Sequence, residues 1–551
     1  MTTDDDDPSE SEDDEPVPAV APGVTLVFGL ALALAPAVAA VWWFPAFVTQ
    51  DGPAHLYNAR VLARSFDPDS PFRSAFAVRW EPLPNWAGHV VLMGLSEALP
   101  PRDADRAMTT LTVVALAASV LWLRVRVAGD GGRVGGPVLA ALVGLNVTWL
   151  LGFSGFLLGA SLFPLTLALW WSGRDEGWSA GRAWGLAGLV ALGYFCHPVS
   201  LGLTVFGLGV LHVLTPGSRR SGRAAVTAAG LSPLAPLGLL YVRLIQHGGP
   251  VAPEWKHLTG LLSLKAWADQ LTWVDPVSLA RKDYWPLLGT TAPWHLAAAP
   301  VLWVGAGLAL AVAATVLAGE GPFQASGRGR RGWWALAGLL LVGGAAGPDT
   351  LGPKHGEYLQ QRVVLLGLVG LIPALRLDSA TRLGRASCAC LLGALAVQSA
   401  VVWDYGATSD RTAGAILNVG RLIGPGQRFV TRLTGIRTPF RANPILHADS
   451  GLGADRGAVV WGDYETRFYY FPVQFRDGPD RRPDPETLER IALGDPDRLR
   501  LWSETLEAHQ GVIDVVLAWN EDPALDAVTA RRYGPLLGTG PLRVWVRKRG
   551  R

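Results

Sequence analysis

The residues whose types and spacing could do chemistry stand together early in the chain. In "FPAFVTQDGPAHLYNARVL", Phe44 to Leu62, an apolar run ends in Trp42 and Trp43, and Asp51, Gly52, Pro53 and His55 follow at once. An acid and an imidazole four positions apart on a helix share one face. That pairing suits a general base with a helper, or two ligands to a divalent cation such as Mg or Mn. The plainer reading is that Asp51 caps the helix and Pro53 sits in its first turn. Such a helix runs to about Ser65 and is amphipathic at an interface, with Leu56, Ala59, Ala63 and Phe66 toward one side and Arg60 and Arg64 on another. Position favours chemistry, because a carboxylate just outside a span reaches a membrane-bound group and an aqueous one together.

The elements that must hold these residues follow from composition. Of 551 residues, 50% are hydrophobic and 17% charged, with 23 Trp, which excludes an ordinary soluble enzyme. The net charge is +2 with scattered basic residues, which gives no nucleic-acid surface. The three cysteines, Cys196, Cys388 and Cys390, lie in apolar runs and offer neither a disulfide framework nor a zinc site. Apolar runs from 24–46 to 386–403 predict about 11 spans, each roughly 20 residues or shorter. The acidic segment 1–22 reads as a disordered cytoplasmic tail and 23–403 as a transmembrane domain with an outer first loop, 47–106. Basic clusters between later spans put that loop outside by the positive-inside rule, with "NWAGHVVLMGLSEAL" beside the membrane rather than across it. The remainder, 404–551, then lies outside as an α/β domain. Its strands are "QRFVTRL", "GVIDVVLAW" and a closing pair in "RYGPLLGTGPLRVWVRK", and its helix is "DPETLERIALGDPDRLRLWSETLEAH". The fold class is therefore mainly α: a polytopic α-helical membrane protein with a C-terminal extracytoplasmic α/β domain.

With "TQDGPAHLYNARVL" after the first span and "GEYLQQRVVLL" before a late one, the chain resembles the C-superfamily (GT-C) of polytopic glycosyltransferases, and within it the bacterial members. The resemblance implies a polyprenyl-phosphate sugar as donor, a lipid, glycan or protein acceptor, and a bacterial plasma membrane. It carries the catalytic carboxylate over to Asp51. Asp51 has no second acid beside it, and the next outer loop reads "LGFSG" where other members place one, so no cofactor is certain and the metal ligands stay unassigned.

A departing phosphate needs a cation. In "KHGEYLQQR", Lys354 and Arg362 flank the entrance of a span, and Arg362 can form a bidentate pair with phosphate oxygens or simply snorkel to headgroups. Arg60 is a more distant substrate-binding candidate. His89 lines an acceptor cleft or anchors at the interface. His197 reads as structural, and the aromatic "ETRFYYFPVQFR" as strand packing or an acceptor face. A transporter or flippase would place charges mid-span, where this chain has almost none. A scaffold would not need so many spans. The expectation is a sugar transfer with Asp51 as base and His55 as its helper.

Overall fold

The computed structural model describes residues 22–129, 132–215, 220–248, 250–255, 263–281, 300–322, 330–352, 354–478 and 480–548. The expected acidic tail lies outside them except for Pro22, which opens the first helix, α1 (Pro22–Trp43). Three helices follow it: α2 (Gly52–Ala63), α3 (Trp86–Ala98) and α4 (Pro101–Ala128).

Among the described residues, six helices are long and apolar enough to cross a membrane, against the roughly 11 spans expected. They are Gly23–Trp43, Pro101–Ala128, Ser154–Glu176, Ser221–Ile245, Pro300–Leu317 and Arg382–Leu422; three more apolar helices are shorter. Polar breaks shorten the others. The run 134–151 stops after Gly144, where the Asn146 side chain accepts from the N–H groups of Thr148 and Trp149 and starts a new turn. The run 361–377 ends in a 3-10 turn at Pro373, which cannot continue an α-helix. Conversely, the last run does not stop at 403. Its helix, Arg382–Asn418, has 37 residues and at 1.5 Å per residue is about 55 Å long, well beyond a hydrocarbon core of about 30 Å.

Among the described residues there are seven strands, the first of them between α2 and α3. β1 (Phe76–Val78) pairs antiparallel with β4 (Val473–Phe475), which ties the first loop to the C-terminal region. The other five form a mixed sheet in the order β3-β2-β5-β7-β6. β2 (Arg428–Leu433) runs parallel to β3 (Val459–Val460) and to β5 (Val515–Trp519), and β5 is antiparallel to β7 (Leu542–Arg547). β6 (Tyr533–Thr539) closes against β7 through Gly540, at φ 55°. The helix expected over 484–509 is two, Pro485–Ala492 and Arg498–Ala508, split at Gly494 with φ 85°. This left-handed conformation ends a helix at low steric cost only for glycine.

Helix α2 is not the interfacial amphipathic helix expected. Ten of its twelve residues, Gly52 to Ala59 with Val61 and Leu62, are buried. Leu56, Tyr57 and Leu62 share one hydrophobic core with Val430, Leu452 and Val460 of the sheet region. The Tyr57 hydroxyl donates to Ala458 O at 3.0 Å and accepts from Val460 N–H at 3.0 Å. Both backbone groups lie in the dry seam, so losing the hydroxyl strands a donor and an acceptor at about 1–3 kcal/mol. Tyr57→Phe is expected to lower the thermal melting point of the detergent-purified protein, while the exposed, apolar-to-apolar change Leu536→Val leaves it in place.

Candidate active site at the end of the first span

The segment that joins α1 to α2 has no regular structure, yet Ala46, Phe47, Val48 and Thr49 are buried. Its peptide groups are therefore met one by one. Arg106 Nη2 donates to Phe44 O at 2.8 Å, and Ala46 N–H donates to Asp410 Oδ1 at 2.9 Å. Ser409 Oγ donates to Ala46 O at 2.6 Å and accepts from Val48 N–H at 3.1 Å; Tyr405 OH donates to Val48 O at 2.9 Å. Tyr405, Ser409 and Asp410 lie on the part of the Arg382–Asn418 helix that continues past the expected last span, and Arg106 lies on α4. Gln50 and Asp51 then donate their N–H groups to Leu150 O and Leu151 O, both at 3.0 Å.

Asp51 precedes α2 but does not cap it: its side chain makes no cap bond, and the Gly52 N–H goes to Thr49 Oγ1 at 3.2 Å. The backbone at Asp51 is already helical, at φ −99° and ψ −12°, which turns the carboxylate elsewhere. Oδ2 accepts from Tyr464 OH at 3.1 Å, and Oδ1 from Gln50 Nε2 at 3.3 Å. His447 Nε2 lies 3.7 Å from Oδ1 and its ring stacks on Tyr464, centroids 4.5 Å apart. Burial holds this imidazole down to about 3, so it is neutral and the contact is no ion pair. Burial also raises the Asp51 carboxyl, to about 6, against the opposing pull of His55 and its own hydrogen bonds.

His55 is one turn on but is not bonded to Asp51. Its Nδ1 meets Glu465 Oε1, and Glu465 Oε2 meets His89 Nε2 at 2.8 Å. Burial opposes charge on His55, yet the Glu465 carboxylate outweighs it and raises the imidazole above its usual value. Burial likewise opposes ionisation of Glu465, but His55 and His89 hold its carboxyl down to about 2. Among the described residues these three form the group whose ligand atoms, within 4.8 Å of one another, could hold a metal. Asp51 is not part of it, so the expected sharing of an ion by Asp51 and His55 is not what the side chains arrange.

Arg362 is buried and also belongs to this region. Asp51, Tyr358, Tyr464 and Tyr470 lie within its electrostatic reach. Its Nη1 is 3.0 Å from His197 Nε2, its guanidinium lies 4.6 Å over the Phe153 ring and 5.2 Å over Phe156, and its Nε has no partner. Among the described residues no carboxylate pairs with it. The loop "LGFSG" joins the two centres: Leu151 O takes the Asp51 N–H, and Phe153 lies beneath Arg362. Gly152 has φ 82°, and a Cβ there would stand 2.6 Å from Thr49 Oγ1 and 2.7 Å from Gly52 N. The loop read in the sequence as lacking an acid organises both base and cation.

The other expected site residues are not brought together here. Arg60 Nη1 reaches Ser96 O at 3.5 Å, and Lys354 is exposed. Sequence reasoning did not find Asp105, Tyr464, Glu465 and His447. Asp105, on α4, is buried and lines a small cavity with Thr49, Gly52, His55, Gly152 and Ser154. "ETRFYYFPVQFR" drew notice for its aromatic residues, while its first residue, Glu465, makes the contact to the histidines.

No family model matches the chain, nor does any curated protein. Among solved structures, the fold matches the arabinofuranosyltransferase AftD from Mycobacteria, determined by single-particle cryo-EM, with a TM-score of 0.51 at 17% identity. The match covers 97% of this chain and 40% of that one. A mutant of the same protein gives 0.50 at 16% identity over 96% and 42%. The chain thus spans about two-fifths of the length of that enzyme. At this identity the comparison shows the fold alone: this chain is folded like that part of AftD, as a mainly helical chain with several membrane-length helices.

Because Gly152 meets both a left-handed backbone and a contact below 3 Å, Gly152→Ala is expected to lower the melting point. Gly188, inside the helix Ala180–Cys196 with no atom within 4 Å of an added Cβ, is the control. Gly188→Ala is expected to leave the melting point level or raise it.

Proposed function

We propose that this chain is an integral membrane glycosyltransferase that moves a sugar from a polyprenyl-phosphate donor to an extracytoplasmic acceptor: a lipid, a glycan or a protein. The reading places the first loop 47–106 and the region 404–551 on the outer face of a bacterial plasma membrane, where membrane lipids surround the donor chain. The observation that carries it is the placing of Asp51, a buried acid kept basic, and Arg362, a buried guanidinium that no carboxylate among the described residues bonds, on either side of the loop 151–153.

The chemistry follows from these two groups. Asp51, with its carboxyl near 6, is mostly ionised at neutral pH and a better proton acceptor than an ordinary carboxylate. It takes the proton of the acceptor hydroxyl, whose oxygen attacks the anomeric carbon. The bond from that carbon to the phosphate oxygen breaks, and its electron pair leaves with the polyprenyl phosphate. Arg362 meets the charge that develops there. A single displacement of this kind inverts the anomeric centre. These steps are written without a divalent cation; Mg or Mn, the ions first considered, would be met there by oxygen groups such as Asp51 and the Tyr464 hydroxyl. His55 and His89 act through Glu465 and the adjacent Tyr464, so their part is to place Asp51.

A transporter or flippase is favoured less. Asp51 lies between α1 and α2 and Arg362 in the first turn of the helix Leu359–Leu371, so neither charge is mid-span. A scaffold gives no reason to bury Arg362 with no carboxylate bonded to it among the described residues.

Transfer from labelled polyprenyl-phosphate sugars in membranes, matched for protein level, tests the reading. Asp51→Asn should reduce turnover at least about 100-fold, the range of a general base. Arg362→Ala should raise the donor KM roughly tenfold or more, as for a charge-assisted bond. Unchanged turnover by Asp51→Asn would refute the assignment of the base. Activity that needs the carboxylate is full above its pKa and lost as pH falls through about 6. Tyr464→Phe removes a bond that favours the ionised form, so the acid limb of the pH–rate profile should move to higher pH.

A further inference from the structure

We propose that His55, His89 and Glu465 form a binding site for a zinc-type divalent ion, which fastens the first loop to the C-terminal sheet region whichever reaction the site performs. The hydrogen-bond pattern around His89 is the first argument. Its Nδ1 is 3.1 Å from Asn85 O, and a backbone carbonyl can only accept, so Nδ1 carries a proton. A neutral imidazole has one ring proton, so Nε2 then presents its lone pair to Glu465 Oε2, 2.8 Å away. At that distance a proton bridges the two lone pairs, and a metal ion takes the proton's place when the nitrogen and the oxygen part to the spacing of two zinc ligands. A histidine that donates one nitrogen to a backbone carbonyl while the other faces the site is the usual support of a metal-bound imidazole.

The backbone at Asn85 reinforces this reading. Asn85 stands before α3 at φ 64°, one of three non-glycine residues with a left-handed backbone among the described residues. That conformation, disfavoured for a residue with a Cβ, aims the carbonyl at His89.

The donor set selects the metal class. Two imidazole nitrogens and a carboxylate suit zinc and its neighbours, whereas magnesium prefers oxygen ligands and retains water. Glu465 is fully buried, and among the described residues no Lys or Arg pairs with it, so its negative charge is available to the ion. The three ligands come from α2, α3 and the turn Tyr464–Arg467, the last separated from His55 by 410 positions and from His89 by 376. An ion there links segments far apart in sequence. It also fixes Tyr464, the neighbour of Glu465, against Asp51.

The test uses the full chain purified in detergent without chelators. Metal content by mass spectrometry is expected to give about one zinc-class ion per chain for wild type and for Asp51→Asn, and none for His89→Asn or Glu465→Gln. After chelation and reloading with Co2+, wild type should show the visible absorption of a low-coordinate nitrogen–oxygen site, and Mg2+ should not compete. Zn2+ affinity should fall at least about tenfold in Glu465→Gln and be partly kept in Glu465→Asp, which guards against loss through misfolding. Wild-type protein with its normal melting point that takes up neither Zn2+ nor Co2+ would overturn the proposal and leave a proton-bridged histidine–glutamate–histidine group. Equal metal in wild type and Glu465→Gln would overturn it too, showing an adventitious ion only.

Discussion

The site depends on a length of backbone that is buried without secondary structure. Between α1 and α2 the chain leaves the first span and turns into the protein interior, where a peptide group without a partner costs as much as a lost hydrogen bond. No helical or strand ladder of its own supplies the partners. They come instead from Arg106, Tyr405, Ser409, Asp410 and the carbonyls of Leu150 and Leu151. Each fixes a peptide group, Ser409 two of them, and together they fix Asp51. The helix Arg382–Asn418 is long because its final turns are needed at this place, which explains why it continues past the apolar run that begins it.

The electrostatics follow from the same burial. A dry pocket raises the Asp51 carboxyl and keeps the His447 ring neutral, and the same dryness makes an unpaired Arg362 costly. Aromatic faces soften that cost: Phe153 and Phe156 lie against the guanidinium, and cation–π attraction replaces part of the lost hydration without neutralising the charge. An arginine held by rings remains attractive to an anion. One held by a carboxylate would not.

Local sequence showed what local sequence determines. Asp51 was visible because an acid so soon after an apolar run is conspicuous, and Arg362 because a span entrance follows it. The strands β2 and β5 were visible as β-branched apolar runs, and the closing hairpin by its Gly-Thr-Gly turn. What stayed hidden depended on distant partners. In "AHLYN", His55, Tyr57 and Asn58 each bond to residues more than 400 positions away, so α2 is buried where its own pattern reads as interfacial. Glu465 and Tyr464 carry no local mark of their role. Arg60 and Lys354 were proposed for charge and nearness in sequence to the site, and the fold turns Arg60 toward the end of α3 and leaves Lys354 in solvent.

The separation of these partners also has a consequence for how the protein is made. Asp51 and His55 leave the ribosome early, while Tyr464 and Glu465 follow after about 410 further residues. At ordinary translation speeds that interval is roughly 20–80 s. Throughout it, the helices of the first loop stand without the strands that bury them, their apolar faces open to chaperones or to the membrane. The carboxylate gains its dry surroundings only when the chain is nearly complete, so a nascent protein stalled before β3 is assembled in its spans but has no finished site.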